Sequence, residues 1–127
     1  MRAPALAVSA QAQVDKPVRI LVGFPAGGSA DIAARLMGER MAQELKQPVV
    51  VDNKGGAGGT LGTAAVKRAA PDGHTLLVSS LGPYVIAPHL LAKVPYNALK
   101  DFDYITIAVQ APNVLVVPAS SPHKSMA

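Results

Sequence analysis

The 127-residue chain has no cysteine, and aromatic residues make up only 4% of it. The absence of cysteine excludes disulfide bonds, thiolate catalysis and zinc sites with cysteine ligands. After the N-terminal stretch, no segment of the sequence has the roughly 20 apolar residues that a membrane-spanning helix requires. Half of the residues are nevertheless hydrophobic, which is enough for one folded domain with a core.

Charged residues are also scarce, at 16% of the chain, and lysine and arginine outnumber acidic residues by 12 to 8. The basic residues are scattered along the chain, for example Arg19, Arg40 and Lys100, and form neither a run nor a single-faced stripe. Because nucleic-acid binding usually needs a clustered basic surface, often with stacking rings, we expect no nucleic-acid partner. The net charge of +4 fits a mild attraction for small anions.

The N-terminus has features of an export signal. A basic start is followed by a short apolar stretch, and Ala10-Gln11-Ala12 has the small-x-small form of a signal-peptidase site. We interpret residues 1–12 as a residual signal-peptide-like segment and predict an exported, periplasmic protein. The alternative interpretation is an alanine-rich tail.

Short β-rich runs alternate with helical periodicities along the chain, which is typical of βαβ units with parallel strands. In the first predicted helix, Ser29 is expected to be the N-cap, and Asp31 lies in the first turn, where the helix dipole favours negative charge. The sequence therefore predicts an α/β fold with a mostly parallel sheet flanked by helices. The predicted strands are 18–24, 48–52, 74–80, 103–109 and 113–117, and the predicted helices span about 30–45, 60–69 and 83–91.

Two glycine-rich turns, at residues 24–31 and 53–60, each connect a predicted strand to a helix. Ligands of open α/β sheets bind outside the carboxyl ends of the strands, where helix N-termini present unpaired N–H donors. Ser79 and Ser80 end the third strand at the same edge and add further donors. The sequence therefore predicts an anion-binding edge. The alternative is structural, since glycine also permits tight turns with positive φ.

Motifs for catalysis are missing from these turns. Neither has the Gly-Lys-Ser/Thr of a P-loop, Leu61 stands where a dinucleotide fingerprint needs its third glycine, and no G-x-S-x-G is present. The histidines lie far apart in the sequence. We therefore expect no enzyme, no catalytic residue, no cofactor and no metal site; the competing hypothesis is a nucleotide-binding α/β enzyme domain.

At the two glycine-rich turns and the end of the third strand, the chain resembles the periplasmic solute receptors of tripartite tricarboxylate transporters, the Bug or TctC-like family. The resemblance runs from about residue 16 to the end and contains several motifs in the family order. These are Pro25-Ala26-Gly27-Gly28-Ser29-x-Asp31 with Ala34-Arg35, Val50-Val51-x-Asn53, Gly56-Ala57-Gly58-Gly59, Pro71-Asp72-Gly73-x-Thr75-Leu76, Pro95-Tyr96, Lys100-Asp101-Phe102 and residues 112–117.

The resemblance implies a periplasmic-binding-protein-like (type II) fold in which two lobes close on a small carboxylate, such as a di- or tricarboxylate or an acidic amino acid. It implies the N-terminal part of the first lobe at residues 13–110 and the start of a truncated second lobe at 111–127. Asp31 would accept from a bridging water or a ligand ammonium, or stabilise its helix start. The implied ligand-binding residues, acting partly through ordered waters, are Phe24, Ala26, Gly27, Ser29, Asp31, Ala57, Gly58, Ser79 and Ser80.

The implied partners are the membrane subunits of a tripartite tricarboxylate transporter, and we expect a monomer. The chain departs from the family pattern at Asp52-Asn53-Lys54-Gly55-Gly56, His74, Ala87 and Asn97-Ala98, which affects solute preference rather than fold. Family members are more than twice as long. We therefore expect an N-terminal fragment that binds carboxylates weakly or not at all by itself; a non-functional gene remnant is the further alternative.

Overall fold

A computed structural model describes residues 15–112, 114 and 116–122, so the signal-peptide interpretation of residues 1–12 lies outside the described part of the chain. Three strands alternate with three α-helices. A single 3-10 turn, Ala57–Gly59, precedes the second α-helix, and a π-helical turn, Gly82–Ile86, precedes the third. In chain order the elements are β1 (Val18–Val22), α1 (Ser29–Leu45), β2 (Val49–Asn53), α2 (Thr60–Lys67), β3 (Thr75–Val78) and α3 (Ala87–Leu90).

The three strands form one parallel sheet in the order β2-β1-β3. In its register, Ile20 of β1 lies opposite Val51 of β2 and Leu76 of β3. All three strands therefore end at the same edge of the sheet, where their connections lead towards helices. The predicted α/β class with a mostly parallel sheet is confirmed.

The core is centred on β1, whose residues are almost all buried. Ile20 and Val22 form its middle together with Ala34 of α1. A central parallel strand is covered on both faces, which explains why this run is apolar rather than alternating. On α1, the small residues Ala34 and Gly38 are buried and let the helix lie close to the sheet.

The prediction of a strand over 103–109 is wrong. This segment has no regular secondary structure, and Ile105 and Ile107 are 78% and 81% exposed. An apolar extended run becomes a strand only when a neighbour completes its hydrogen-bond ladder, and no strand pairs with it in the described part of the chain. Residues 113 and 115 of the other predicted strand lie outside that part; its described positions are not in a strand either.

Within the described residues, no helix is both long and apolar enough to cross a bilayer.

Gly62 and Gly38 are buried residues of α2 and α1, and we expect substitution by alanine to change the stability of the chain in opposite directions at these two positions. A Cβ on Gly62 of α2 would lie 2.7 Å from the Gly23 Cα and 3.0 Å from the Lys54 carbonyl oxygen. Gly62→Ala is therefore expected to lower the free energy of unfolding by roughly 1–3 kcal/mol through overpacking. The measurement is denaturant-induced unfolding of the purified chain.

Gly38→Ala is the matched control. Its Cβ would meet the Val49 side chain at 3.4 Å, an ordinary contact, and alanine in a helix interior gains up to about 1 kcal/mol over glycine. Destabilisation of equal size in both variants would contradict the close approach of α2 to the end of β1.

Candidate functional site

The first loop, residues 23–28, leads from β1 into α1. Gly28 is the N-cap, its carbonyl accepts from the Ile32 amide at 3.0 Å, and no side chain caps the helix. The prediction of Ser29 as N-cap is wrong, because Ser29 is already the first helical residue. The amides of Ser29 and Ala30 therefore have no acceptor within the described residues, and they lie at the positive end of the helix dipole.

A cleft of about 480 Å³ opens beside this helix start. Its volume lies in the usual range of small-molecule sites. Among the described residues, the wall combines apolar and small residues with two hydroxyl groups and contains no acidic side chain. The residues that line it are Phe24, Pro25, Ala26, Gly28, Ser29, Ala30 and Ser80.

The second loop, residues 54–59, leads from β2 into α2 and contains three successive residues with positive φ: Ala57, Gly58 and Gly59, at 47°, 64° and 94°. For alanine this conformation is costly, so the surrounding contacts must impose it. Two threonine hydroxyls bond to this stretch: that of Thr60 donates to the Ala57 carbonyl at 2.9 Å, and that of Thr63 donates to the Gly59 carbonyl at 3.0 Å.

Close packing joins the two loops to the end of β3. A Cβ on Gly59 would lie 2.8 Å from the Pro83 ring and 3.1 Å from the Phe24 ring, so only glycine fits between them. A Cβ on Gly82 would meet the Ser80 hydroxyl oxygen at 3.5 Å and the Gly58 carbonyl oxygen at 3.9 Å. The three segments that follow β1, β2 and β3 therefore meet at one edge.

Ser79 has a buried hydroxyl that makes no hydrogen bond of normal geometry within the described residues. Its polar neighbour is Tyr84. Burial raises the pKa of Tyr84 to about 12, and Tyr104 adds to this rise. The Ser79 hydroxyl acts in the opposite direction and lowers the pKa of Tyr84. A buried hydroxyl without a regular partner is uncommon in folded proteins. It lies at the same edge as the cleft.

Asp31 lies behind the cleft wall and is almost fully buried, with 3% exposure. Its Oδ2 accepts from the Gly27 amide at 2.8 Å and from Arg35 Nε at 3.1 Å. Its Oδ1 accepts from Asn53 Nδ2 at 3.0 Å and pairs with Arg35 Nη2 at 3.0 Å. Arg35, Gly27 and Asn53, in that order of effect, lower the pKa of Asp31 to about 2.

The nine candidate residues are thus distributed over three places. Phe24, Ala26, Ser29 and Ser80 line the cleft. Ala57, Gly58 and Ser79 lie in the second loop and at the end of β3. The remaining two, Gly27 and Asp31, bond to each other behind the wall, so the Gly27 amide is already engaged.

Sequence reasoning assigned no site role to two partners of Asp31. Arg35 stands four residues after Asp31, the spacing at which opposite charges meet on a helix, so this pair had a recognisable signal. Asn53 lies on another strand, and only the parallel pairing of β1 with β2 brings the ends of these strands together.

Comparison with known proteins gives a consistent assignment. The model of the tripartite tricarboxylate transporter family receptor matches residues 33–127. BugT of Bordetella pertussis is 41% identical over 110 residues, which cover 86% of this chain and 34% of BugT. The chain spans about a third of the length of the curated relatives it matches.

Two solved structures are similar to the chain at 45% sequence identity. MatC from Rhodopseudomonas palustris, solved with bound malate, gives a TM-score of 0.66 over 70% of this chain and 30% of MatC. A structure described as a periplasmic transporter gives a TM-score of 0.65 over 68% of this chain and 29% of its own.

The depressed pKa of Asp31 predicts a pH dependence of stability. The carboxyl group titrates at about 2 in the folded chain against an ordinary value of 3.8. Its contribution is therefore complete above about pH 4 and is lost as the pH falls towards 2. We expect Asp31→Asn to unfold at a lower temperature than the wild type at pH 7, and the difference to narrow below pH 4.

Thermal unfolding of both proteins across that pH range checks this expectation. Glu39→Gln removes an exposed carboxylate of the same helix and serves as the control, with an unfolding curve like that of the wild type. If the difference in unfolding temperature between wild type and Asp31→Asn stays constant from pH 7 to pH 2, the low pKa of Asp31 is disproved.

Proposed function

We propose, from the premise that the chain belongs to the tripartite tricarboxylate transporter receptor family, that it forms part of an extracytoplasmic receptor for a small carboxylate. The receptor would deliver this solute to the membrane subunits of a tripartite tricarboxylate transporter. We further propose a periplasmic location, a monomeric state and no nucleic-acid partner.

One observation carries this proposal: the N-terminus of α1 has no side-chain cap and opens into a cleft without acidic side chains. Free amide groups and the helix dipole make such a terminus an anion site. The malate bound to MatC, a relative at 45% identity, supplies the chemical class, a small dicarboxylate.

We propose that one carboxylate of the solute lies at the amides of Ser29 and Ala30, within reach of the Ser80 hydroxyl. Phe24 and Ala26 would form the apolar side of the pocket. On the second loop, Ala57 and Gly58 would contribute amide groups, and Ser79 its hydroxyl, through bridging waters. A hydrogen bond bridged by such a water is enthalpically nearly as favourable as a direct hydrogen bond.

A receptor explains the site better than a nucleotide-binding enzyme domain. The candidate set holds three serine hydroxyls and one carboxylate, but in the described residues no hydrogen bond joins these serines to a carboxylate or a histidine. The carboxylate, Asp31, is bonded to Gly27, Arg35 and Asn53 instead. The family model describes a receptor, and the structures similar to this chain are described as a periplasmic transporter and as a malate-bound protein.

A charge reversal in the cleft tests the proposal. Ser29→Asp places a carboxylate at the first residue of α1, where the dipole favours it, so the helix is retained. The same charge repels a solute carboxylate, and we expect malate affinity to fall at least about tenfold. Because the chain matches 30% of MatC, the measurement is calorimetric titration of MatC in which this chain replaces the matching segment.

Ser29→Asn is the control, because it has nearly the same shape as Ser29→Asp without the charge; it is expected to bind malate like the unmodified chimera. Equal binding by both variants would show that the α1 terminus does not hold the solute. A rise in the unfolding temperature with NAD or ATP, and none with malate, would favour the enzyme alternative.

A further inference from the structure

Both oxygens of the Asp31 carboxylate are occupied by donors from its own chain. An ionised carboxylate offers about four lone-pair sites on its two oxygens. Three hydrogen bonds use these sites, from the Gly27 amide and Arg35 Nε to Oδ2 and from Asn53 Nδ2 to Oδ1, and Arg35 Nη2 forms an ion pair with Oδ1 at 3.0 Å. A ligand group would have to displace one of these partners before it could bond to Asp31.

These donors come from three segments of the chain, so the carboxylate ties them together. Gly27 belongs to the first loop, Arg35 to α1 and Asn53 to the end of β2. Asn53 also donates to the Phe24 carbonyl at 3.1 Å and accepts from Arg35 Nη2 at 3.2 Å. The first loop is therefore held at Phe24 and again at Gly27, on either side of the cleft residues Pro25 and Ala26.

Arg35 also balances the negative charge of Asp31. A buried anion beside an anion site would oppose solute binding, and low local dielectric would strengthen that opposition. The guanidinium contacts both oxygens of Asp31, so the two side chains together carry no net charge. The field of the free α1 amides in the cleft is then not cancelled by the aspartate behind them.

We infer that Asp31, Asn53 and Arg35 are positioning residues that hold the first loop in its binding geometry, and that Asp31 does not contact the solute. The inference rests on the proposed carboxylate site. It has a consequence for recognition: Asp31 is not the acceptor for a solute ammonium group, so removing it affects acids with and without an amino group alike.

The first test needs no ligand. NMR hydrogen exchange on the isotope-labelled 127-residue chain reports the Gly27 amide directly. In Asp31→Asn we expect this amide to exchange about tenfold faster or more, because its charged acceptor is gone. Asp52→Asn is the matched control: it removes a carboxylate that pairs with Arg19 on the neighbouring strand and leaves the exchange of Gly27 unchanged.

A milder variant guards against loss of the fold. Arg35→Lys keeps the charge but loses the planar fork that reaches both oxygens of Asp31. Faster exchange at Gly27 and shifted resonances at Phe24 and Ala26 are expected. If Gly27 exchanges at the wild-type rate in both Asp31→Asn and Arg35→Lys, the positioning role is disproved.

The second test compares malate with aspartate, which differ only by a hydroxyl against an ammonium group. NMR titration of wild type and Asp31→Asn measures both affinities, however weak. We expect Asp31→Asn to weaken both acids by the same factor, about tenfold. Loss of aspartate binding alone would identify Asp31 as a ligand contact and overturn the inference.

The two proposals fail in different ways. If the wild type binds neither acid, also when this chain replaces the matching segment of MatC, the proposed function fails. The exchange rates at Gly27 then still decide whether Asp31 positions the loop.

Discussion

Parallel pairing of β1 with both of its neighbours is the constraint on which the binding edge depends. Antiparallel neighbours would send alternate connections to opposite ends of the sheet, whereas three parallel strands end side by side. The first loop, the second loop and the end of β3 meet for this reason. Their closeness then limits side-chain size, because Gly62 lies against Gly23 and Gly59 against Phe24 and Pro83.

The two loops at this edge are held by different means. In the first, hydrogen bonds to a buried, ionised aspartate fix the backbone, and the arginine opposite cancels its charge. In the second, the backbone itself adopts the left-handed region, which is costly at Ala57 and is sustained by the hydroxyls of Thr60 and Thr63.

The sequence predicted β1, β2 and β3 and their parallel arrangement, because apolar runs, glycine turns and helical spacing agree over residues 18–78. It failed where the outcome depends on a distant partner. Residues 103–109 have a strand-like composition, but composition does not supply a neighbouring strand. Ser29 is a good capping residue, yet the chain enters the helix one residue earlier. The bond from Asn53 to Asp31 spans 22 positions and has no local signal.

The apolar run at 103–109 also affects the behaviour of the chain in solution. Ile105, Ile107 and Val109 are largely exposed, and they belong to no strand in the described residues. Such a stretch is a template for intermolecular β-pairing and hence for aggregation. Asp103 at its start is a charge of the kind that opposes such pairing, whereas Asp101 is paired with Lys67. This stretch therefore favours self-association of the chain through a part of the molecule that does not line the cleft.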